Sequence, residues 1–285
     1  MHLSSLRPTG RHPLVARPNP SRSAFTLVEL LVVIGIIALL MSILLPTLGR
    51  VREQAKTIKC SSNMRQILMA CQAYSGSNNY YVIPAGTNLH GWWHNILGDF
   101  GFLPSPETKD PGQGPMSEGV LFCPGGQDVF FPPNLTNNTA VPANRSDENG
   151  AACWRYQTPN GTYRDTWYGI NAAEGKNVTT GPPCLRIEDP AIHGYIKQSM
   201  IREQARMVMF FDGIVYHHQS VNANRLNARH NNKTITNLGF FDGHVESWRT
   251  ADLPGGAGAA ATSDFSIANL NAKFAGQPKW RLEQK

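Results

Sequence analysis

The longest hydrophobic stretch of the chain runs from Phe25 to Leu45, and only Thr26, Glu29 and Ser42 are polar among its 21 residues. A helix of that length spans roughly 30 Å, which is the thickness of the hydrocarbon core of a bilayer. Because the stretch is apolar on every side, it predicts a membrane helix rather than a helix on the surface of a globular domain.

The helical pattern continues beyond Pro46, with an apolar face that includes Ile67, Cys71 and Tyr74. We therefore predict one long helix over residues 25–75. Proline lacks an N–H and clashes with the preceding turn, so Pro46 is expected to bend this helix. The alternative is that Pro46 ends the membrane span.

After the helix, short segments rich in β-favouring residues alternate with turn signals, and they predict strands at 166–170, 206–211, 237–241 and 244–248. Asp242-Gly243 predicts a two-residue hairpin turn with positive φ at both positions. Residues 104–165 are rich in Pro, Gly, Asn and Thr and predict long irregular loops. The predicted fold class is α+β, with a spine helix packed on an antiparallel sheet.

Composition narrows the possible functions. Hydrophobic residues make up 41% of the chain, which excludes wholesale disorder, and the formal charge is +6. Residues 1–24 contain four arginines and no acid, whereas the chain after residue 65 is close to neutral. The head therefore lacks the basic stripe of a nucleic-acid-binding module, and the arginines predict a cytoplasmic N-terminus with the head outside the cytoplasm.

Two ordinary explanations compete for the apolar stretch. A secretory signal peptide would be shorter and would end at a small-residue cleavage site, but Pro46-Thr47-Leu48 follows here. A plain membrane anchor accounts for the stretch but leaves Glu29 unexplained. A carboxylate inside hydrocarbon is costly and usually marks a function that involves a partner.

The segment Ser23-Ala24-Phe25-Thr26-Leu27-Val28-Glu29 resembles the processing motif of type IV prepilins and type II secretion pseudopilins. The resemblance implies that a prepilin peptidase cuts between Ala24 and Phe25 and methylates the new amine of Phe25. It also implies that Glu29 pairs with the terminal amine of a neighbouring subunit during assembly. The alternative is that Glu29 only reaches toward the membrane interface. The family usually has Gly where this chain has Ala24.

The segment from His230 to Asp242-Gly243 resembles the H-X9-DG signature of pseudopilin-like proteins of planctomycete-type bacteria, with a spacer lengthened to residues 231–241. This resemblance also implies a disulfide between Cys60 and Cys123, which match positions in that family. A Cys153–Cys184 bond, with Cys71 left as the odd thiol, is the weaker expectation. The alternative is that all five cysteines are reduced and buried.

Several potential ligands and nucleophiles occur without a recognisable spacing: His217, His218, His230, His244, Asp212 and Asp242. There is no Cys-x-x-Cys, no zinc-type histidine pair and no Gly-x-Ser-x-Gly. We therefore expect His230, Asp242 and Gly243 to stabilise a loop and a turn, and we expect no metal, no cofactor and no enzymatic activity. A Ca²⁺ ion in the head is the less favoured alternative.

These observations predict a leader at 1–24, the spine helix at 25–75, a pseudopilin-like head at 76–253, and a Gly/Ala linker with a C-terminal tail at 254–285. The expected function is that of a structural subunit in a type II secretion or type IV pilus-like filament of the bacterial inner membrane. Its expected partners are the prepilin peptidase, further copies and other pseudopilin subunits, an inner-membrane assembly platform and membrane lipid, but not nucleic acid. The rival is a tethered binding module or metal-dependent enzyme, in which tryptophans line a glycan surface.

Overall fold

The computed structural model describes residues 25–87, 89–104, 107, 119–126, 154–158, 160–174, 183–187, 195–213, 226, 229–231, 234–254 and 267–284. The chain divides into two compact units at Leu48/Gly49. The second unit, residues 49–285, is called the head from here on. The helices are α1 (Leu27–Ser77), α2 (Trp93–Asp99) and α3 (Ile267–Lys273). The strands are β1 (Gly86–Thr87), β2 (Gly91–Trp92), β3 (Trp154–Gln157), β4 (Tyr163–Thr166), β5 (Tyr168–Ile170), β6 (Ala172–Glu174), β7 (Cys184–Ile187), β8 (Val208–Asp212), β9 (Ile235–Phe240) and β10 (Val245–Arg249). Short 3-10 turns lie at Gln198–Met200 and Thr250–Asp252.

The long N-terminal helix is present, and the predicted α+β class is confirmed. Helix α1 contains 51 residues and continues through Pro46. Pro46 therefore does not end the helix, while the bend there stays a prediction. The predicted apolar face is buried in the second unit, where Ile67, Cys71 and Tyr74 are at most 9% exposed.

The central sheet of the head is antiparallel, with the strand order β10-β9-β8-β5. Its strands coincide with the segments predicted around residues 166–170, 206–211, 237–241 and 244–248. Successive residues of a strand point to opposite faces of a sheet. In β8, Phe210 packs in one hydrophobic cluster and Phe211 in the other. An irregularity of register between Val208 and Phe210 places Met209 on the same side as Phe210.

Helix α1 covers one face of this sheet at a point marked by a glycine. A Cβ atom added to Gly239 in β9 would lie 2.9 Å from the sulfur of Met64 and 3.0 Å from a methyl group of Leu68. Met64 and Leu68 are themselves almost fully buried. A larger residue at position 239 would therefore push the helix away from the strand.

The opposite face of the sheet is covered by the C-terminal segment. Leu270 of α3 and Trp280 pack with Phe211, Leu238 and Phe240 in the second cluster. Asn171 donates a hydrogen bond of 2.9 Å to the carbonyl of Trp280. The described part of the segment that we assigned to a tail thus belongs to the core of the head, while residues 255–263, the predicted linker, lie outside the described residues.

A second sheet and a separate hairpin complete the described part of the head. The second sheet is mixed, with the order β2-β1-β7-β6, and its β1–β7 and β6–β7 pairs are parallel. Strands β3 and β4 form an antiparallel pair within residues 154–166. Most of this pair lies within residues 104–165, for which we predicted irregular loops, and that prediction is wrong for these strands.

The turn between β9 and β10 differs from the two-residue turn that the sequence predicted. Phe240 N–H donates to the carbonyl of His244 (3.0 Å), and Gly243 N–H donates to the carbonyl of Phe240 (3.0 Å). These bonds enclose a three-residue loop, Phe241-Asp242-Gly243, and Gly243 has positive φ (98°) whereas Asp242 does not. The predicted two-residue turn is therefore wrong, because the loop has the form of a turn followed by a glycine bulge.

Candidate functional site

The first candidate site is the start of helix α1. The backbone N–H of Thr26 donates to Oε2 of Glu29 at 2.8 Å, and its hydroxyl donates to the same oxygen at 2.7 Å. The N–H of Glu29 donates in return to the Thr26 hydroxyl at 3.2 Å. This is a reciprocal capping box, which satisfies free N–H groups at the helix start. It fixes the carboxylate of Glu29 at the N-terminal end of the helix.

The rest of the first unit presents apolar side chains in all directions. Large hydrophobic residues from Phe25 to Leu48 are 42–78% exposed within the chain itself. Helix α1 is long and apolar enough to cross a membrane. Contiguous apolar surface on this scale marks an interaction with lipid or protein, so the unit is suited to membrane anchoring.

In the second unit, α1 has an outer side as well as a buried one. Val51, Ile58 and Met69 are 57–68% exposed, although each is a large hydrophobic residue. Val51 and Ile58 are seven positions apart and Ile58 and Met69 eleven, so helical geometry places them on one stripe. Cys60, Met64 and the other buried residues lie on the opposite side of the helix.

The second candidate site lies inside the head, where Cys60 and Cys123 form a disulfide with a Cα–Cα distance of 5.2 Å. This is the pair that the family resemblance implied. It joins α1 to the described segment 119–126 across a separation of 63 residues. Both cysteines are 0% exposed, so the disulfide is part of the core.

A buried histidine and a buried carboxylate flank the disulfide. His230 Nε2 lies 3.8 Å from Cys123 Sγ and 3.1 Å from Oδ2 of Asp212. Asp212 ends strand β8, and its Oδ2 also accepts a 2.8 Å hydrogen bond from the backbone N–H of Asn237. His230 and Asp212 are 0% exposed, and such groups are tolerated in a core only when they are paired.

Close packing fixes the position of the His230 ring. A Cβ atom added to Gly125 would lie 2.8–2.9 Å from two atoms of this ring, and one added to Gly126 would lie 2.7 Å from the Trp167 ring. The two glycines after Cys123-Pro124 therefore let the backbone approach both rings. A side chain at position 125 would not fit against the His230 ring without a shift of one of them.

Hydrogen bonds from side chains to backbone carbonyls hold the two halves of the disulfide together independently of the sulfur atoms. Asn63 Nδ2 donates to the carbonyl of Phe122 at 2.7 Å. The hydroxyl of Tyr168 lies 3.4 Å from the carbonyl of Cys60 and 3.3 Å from that of Phe122. Burial, followed by the nearby carboxylate of Asp212, raises the pKa of Tyr168, so this hydroxyl stays protonated and acts as a donor.

The cluster does not have the geometry of a catalytic triad. In a triad one ring nitrogen faces the nucleophile and the other faces the carboxylate. Here the same nitrogen of His230, Nε2, faces both Cys123 and Asp212, while the buried Nδ1 has no hydrogen-bond partner in the part of the chain that the structure describes. The sulfur of Cys123 is also bonded to Cys60. Nucleophilic catalysis is not supported by this arrangement.

The chain contains two Phe-Phe-Asp-Gly segments, at 210–213 and 240–243. The second Asp-Gly pair, Asp242-Gly243, lies at the surface. Oδ1 of Asp242 accepts a hydrogen bond from the backbone N–H of His244 at 3.2 Å and also contacts its Nδ1. Both side chains are more than one-third exposed. Asp242 and Gly243 thus shape the β9–β10 turn, whereas His230 pairs with Asp212 of the first Asp-Gly pair.

The other two described cysteines do not extend the cluster. Cys71 and Cys184 are free and buried, and burial raises the pKa of each thiol. The expectation that Cys71 is unpaired is confirmed. Cys153 lies outside the described residues, and the free thiol of Cys184 does not support its proposed pairing.

The rival ideas of a glycan surface and of a metal site that combines His230 with His244 and Asp242 find little support in the described residues. Trp93, Trp167 and Trp280 are core residues, at most 2% exposed. His217 and His218 lie outside the described residues. Sequence reasoning missed Asp212 as the partner of His230 and Thr26 as the partner of Glu29, although the repeated Phe-Phe-Asp-Gly and the Thr-x-x-Glu spacing are visible signals for each.

Comparison with known proteins bears on the first site. The family described as the prokaryotic N-terminal methylation motif matches residues 19–45. The chain carries a prepilin-type motif. The match includes Ala24 and Phe25, which flank the cleavage position expected from the sequence, and it supports a pilin-like protein. No curated protein and no solved structure matches the chain significantly.

Proposed function

We propose that this chain is a pseudopilin-like structural subunit of a type II secretion or type IV pilus-like filament. Prepilin peptidase removes residues 1–24 and methylates Phe25, and the subunit then enters the filament from the inner membrane with its head on the extracytoplasmic side. The observation that carries the proposal is the methylation motif at residues 19–45, followed by the apolar helix α1.

The capping box supports an assembly role for Glu29. Thr26 bonds one carboxylate oxygen, Oε2, and in the described part of the chain the other oxygen accepts no hydrogen bond. A single ionised group in hydrocarbon is unfavourable, and two opposite charges are tolerated only as a pair. The methylated amine of Phe25 in a neighbouring subunit supplies the opposite charge at the same depth.

The exposed apolar surface supports assembly along the helix. Side chains of the first unit are suited to lipid before assembly and to neighbouring helices after it. The exposed stripe at Val51, Ile58 and Met69 extends the same character beyond the apolar run. We infer that neighbouring subunits cover both surfaces.

Processing is tested by the N-terminal mass of the protein isolated from its native membrane. We expect a chain that begins with N-methyl-Phe25. A chain that retains Met1, or one cut after residue 46, would contradict the proposal.

Assembly is tested with Glu29→Leu and Glu29→Gln. We expect both variants to insert into the membrane and to be processed, and to be missing from the filament fraction. Glu53→Gln is the matched control, because Glu53 lies on the same helix and pairs with Lys56 at 3.5 Å within its own chain. Normal incorporation of the Glu29 variants would refute the pairing role.

The rival, a tethered enzyme or binding module, predicts a different result. Its activity would survive replacement of residues 1–48 by an unrelated membrane anchor, whereas filament incorporation would be lost. For the structural subunit we expect this replacement to abolish function completely.

A further inference from the structure

Cys60, Cys123 and His230 together have the composition of a metal centre. One ligand atom from each lies within 4.8 Å of the others, and all three residues are 0% exposed. Thiolate sulfur and imidazole nitrogen are the donors that zinc prefers. We propose that the head binds one zinc-class divalent ion through Cys60, Cys123 and His230 when the disulfide between the two cysteines is reduced.

The metal-binding state requires a balanced redox step. A dithiol reductant supplies two electrons and two protons, the S–S bond of Cys60–Cys123 breaks, and the reductant becomes a cyclic disulfide. Binding of the ion then releases the proton of each thiol, so that two thiolates become ligands. The same pair of cysteines therefore holds either a disulfide or a metal ion.

The distances suit a tetrahedral ion with little movement. Zinc lies about 2.3 Å from sulfur and about 2.0–2.1 Å from nitrogen, which places neighbouring ligand atoms about 3.5 Å apart. Cys123 Sγ and His230 Nε2 are 3.8 Å apart in the oxidised head. The sulfurs of Cys60 and Cys123 need only to rotate apart, because their Cα atoms are 5.2 Å from each other.

The surrounding hydrogen bonds keep the three ligands together after reduction. Asn63 and Tyr168 contact the backbone carbonyls beside both cysteines, and neither contact uses a sulfur atom. Gly125 lets segment 119–126 lie directly against the His230 ring. After the disulfide opens, the donor atoms of the three residues therefore still face one another.

Asp212 adds a buried carboxylate beside the three ligands. Its Oδ2 lies 3.1 Å from His230 Nε2, and its other oxygen, Oδ1, is buried and has no hydrogen-bond partner among the described residues. When Nε2 binds the ion, the neutral ring carries its proton on Nδ1 instead. Asp212 then loses that hydrogen bond and lies beside the metal as a fourth ligand or a countercharge. Arg229, next to His230 in sequence and 5% exposed, brings a positive charge into the same core, where its guanidinium donates to the carbonyl of Trp167.

The test uses the full chain in detergent with Co²⁺ as the probe, because cobalt bound by thiolates in a tetrahedral site gives intense visible and near-ultraviolet bands. We expect one cobalt per chain after reduction by a dithiol, displacement by Zn²⁺, and no such bands in the oxidised chain. Asp212→Asn should weaken the affinity about 10–100-fold and leave the stoichiometry unchanged.

The control variants separate this site from the other thiols. Cys60→Ser/Cys123→Ser should abolish the thiolate–cobalt bands, while Cys71→Ser/Cys184→Ser should retain them, since both control residues are also buried cysteines. The proposal is overturned by a reduced wild-type chain without these bands, or by bands that survive Cys60→Ser/Cys123→Ser. The comparison of oxidised and reduced wild type decides the matter even where a variant does not fold.

This proposal does not depend on the filament function. A negative cobalt titration leaves processing and assembly untouched, and failure of assembly leaves the metal site untouched.

Discussion

The two units of the chain differ in how far their hydrophobic side chains are exposed. In residues 25–48, large hydrophobic side chains are 42–78% exposed, whereas the core of the head consists of residues that are at most 9% exposed. Within residues 25–48, side-chain hydrogen bonds reach only three residues along the helix, as for Ser42 to Leu39 and Thr47 to Leu44. The head buries apolar side chains in its own core, while the first unit is suited to surroundings outside the chain.

Two carboxylates make the same contrast. Asp212 lies in the core, with both His230 and the backbone of Asn237 as partners on its Oδ2. Glu29 has Thr26, its neighbour in the first helical turn. We infer that Asp212 stabilises this fold and that Glu29 acts chiefly between subunits.

The largest effect is expected for Asp212→Ala. The change leaves the His230 ring and the Asn237 N–H without their acceptor in a core that excludes water. Removing one member of a buried pair costs about 3–5 kcal/mol. Urea unfolding of the full chain, followed by the fluorescence of the buried tryptophans, measures the loss.

Asp242→Ala is the matched control for this prediction, since it alters the second Asp-Gly pair at an exposed turn. We expect it to cost at most about 1 kcal/mol, the typical value of one hydrogen bond. Equal losses for the two variants would contradict the assignment of Asp212 as the buried partner.

A smaller effect concerns His94, which is 1% exposed in helix α2. Burial, and then the nearby positive charge of Arg164, lower the pKa of His94 from 6.5 to about 3. In the folded state His94 therefore stays neutral at pH values at which the same residue binds a proton in the unfolded chain. Stability is fully present above pH 6.5 and falls as the pH drops toward 3, by up to about 1.4 kcal/mol per pH unit.

Unfolding curves between pH 7 and pH 4 test the role of His94. We expect His94→Phe to flatten the pH dependence in this range. An unchanged slope in His94→Phe would show that other groups cause the acid loss.

The success of sequence reasoning also differs between the two units. Helix α1 was predictable because its apolar run is long and because Ile67, Cys71 and Tyr74 repeat with helical spacing. The central strands were predictable from their β-favouring residues. The mixed sheet was not, since β1 and β2 have two residues each and the β1–β7 pair is set by contacts distant in sequence.

The buried cluster was predictable only in part. The family resemblance implied the Cys60–Cys123 bond, but the partner of His230 depends on how β8 and β9 pair, which no local spacing reveals. Asp212 and Asp242 look alike in sequence, and only the fold buries one of them. The turn at Phe241-Asp242-Gly243 was mispredicted because Asp-Gly suits both two-residue and three-residue loops.

A third prediction concerns the contact between α1 and the central sheet. Gly239→Val should cost about 1–3 kcal/mol, because the added side chain overlaps Met64 and Leu68 in a well-packed core. Gly76→Ala is the control, since an added Cβ there has no neighbour within 4 Å. Chemical denaturation of both variants measures the difference, and a Gly239→Val chain as stable as the wild type would mean that the helix does not lie on β9 at this point.

The smallest effect on stability is expected for Thr26→Val. This variant is also the most direct test of the contrast between the two units. The variant loses the hydroxyl of the capping box, so the first turn of α1 should open more easily by about 0.5–2 kcal/mol. Hydrogen exchange of the full chain in detergent should therefore speed up at the first helical turn, with no change in the unfolding of the head. Thr26→Ser keeps the hydroxyl and should exchange like the wild type. If Thr26→Val instead lowered the stability of the head, the effect of the capping box would not be confined to the first unit. The first unit, with its exposed apolar side chains, and the head, with its own core, could then no longer be treated as separate.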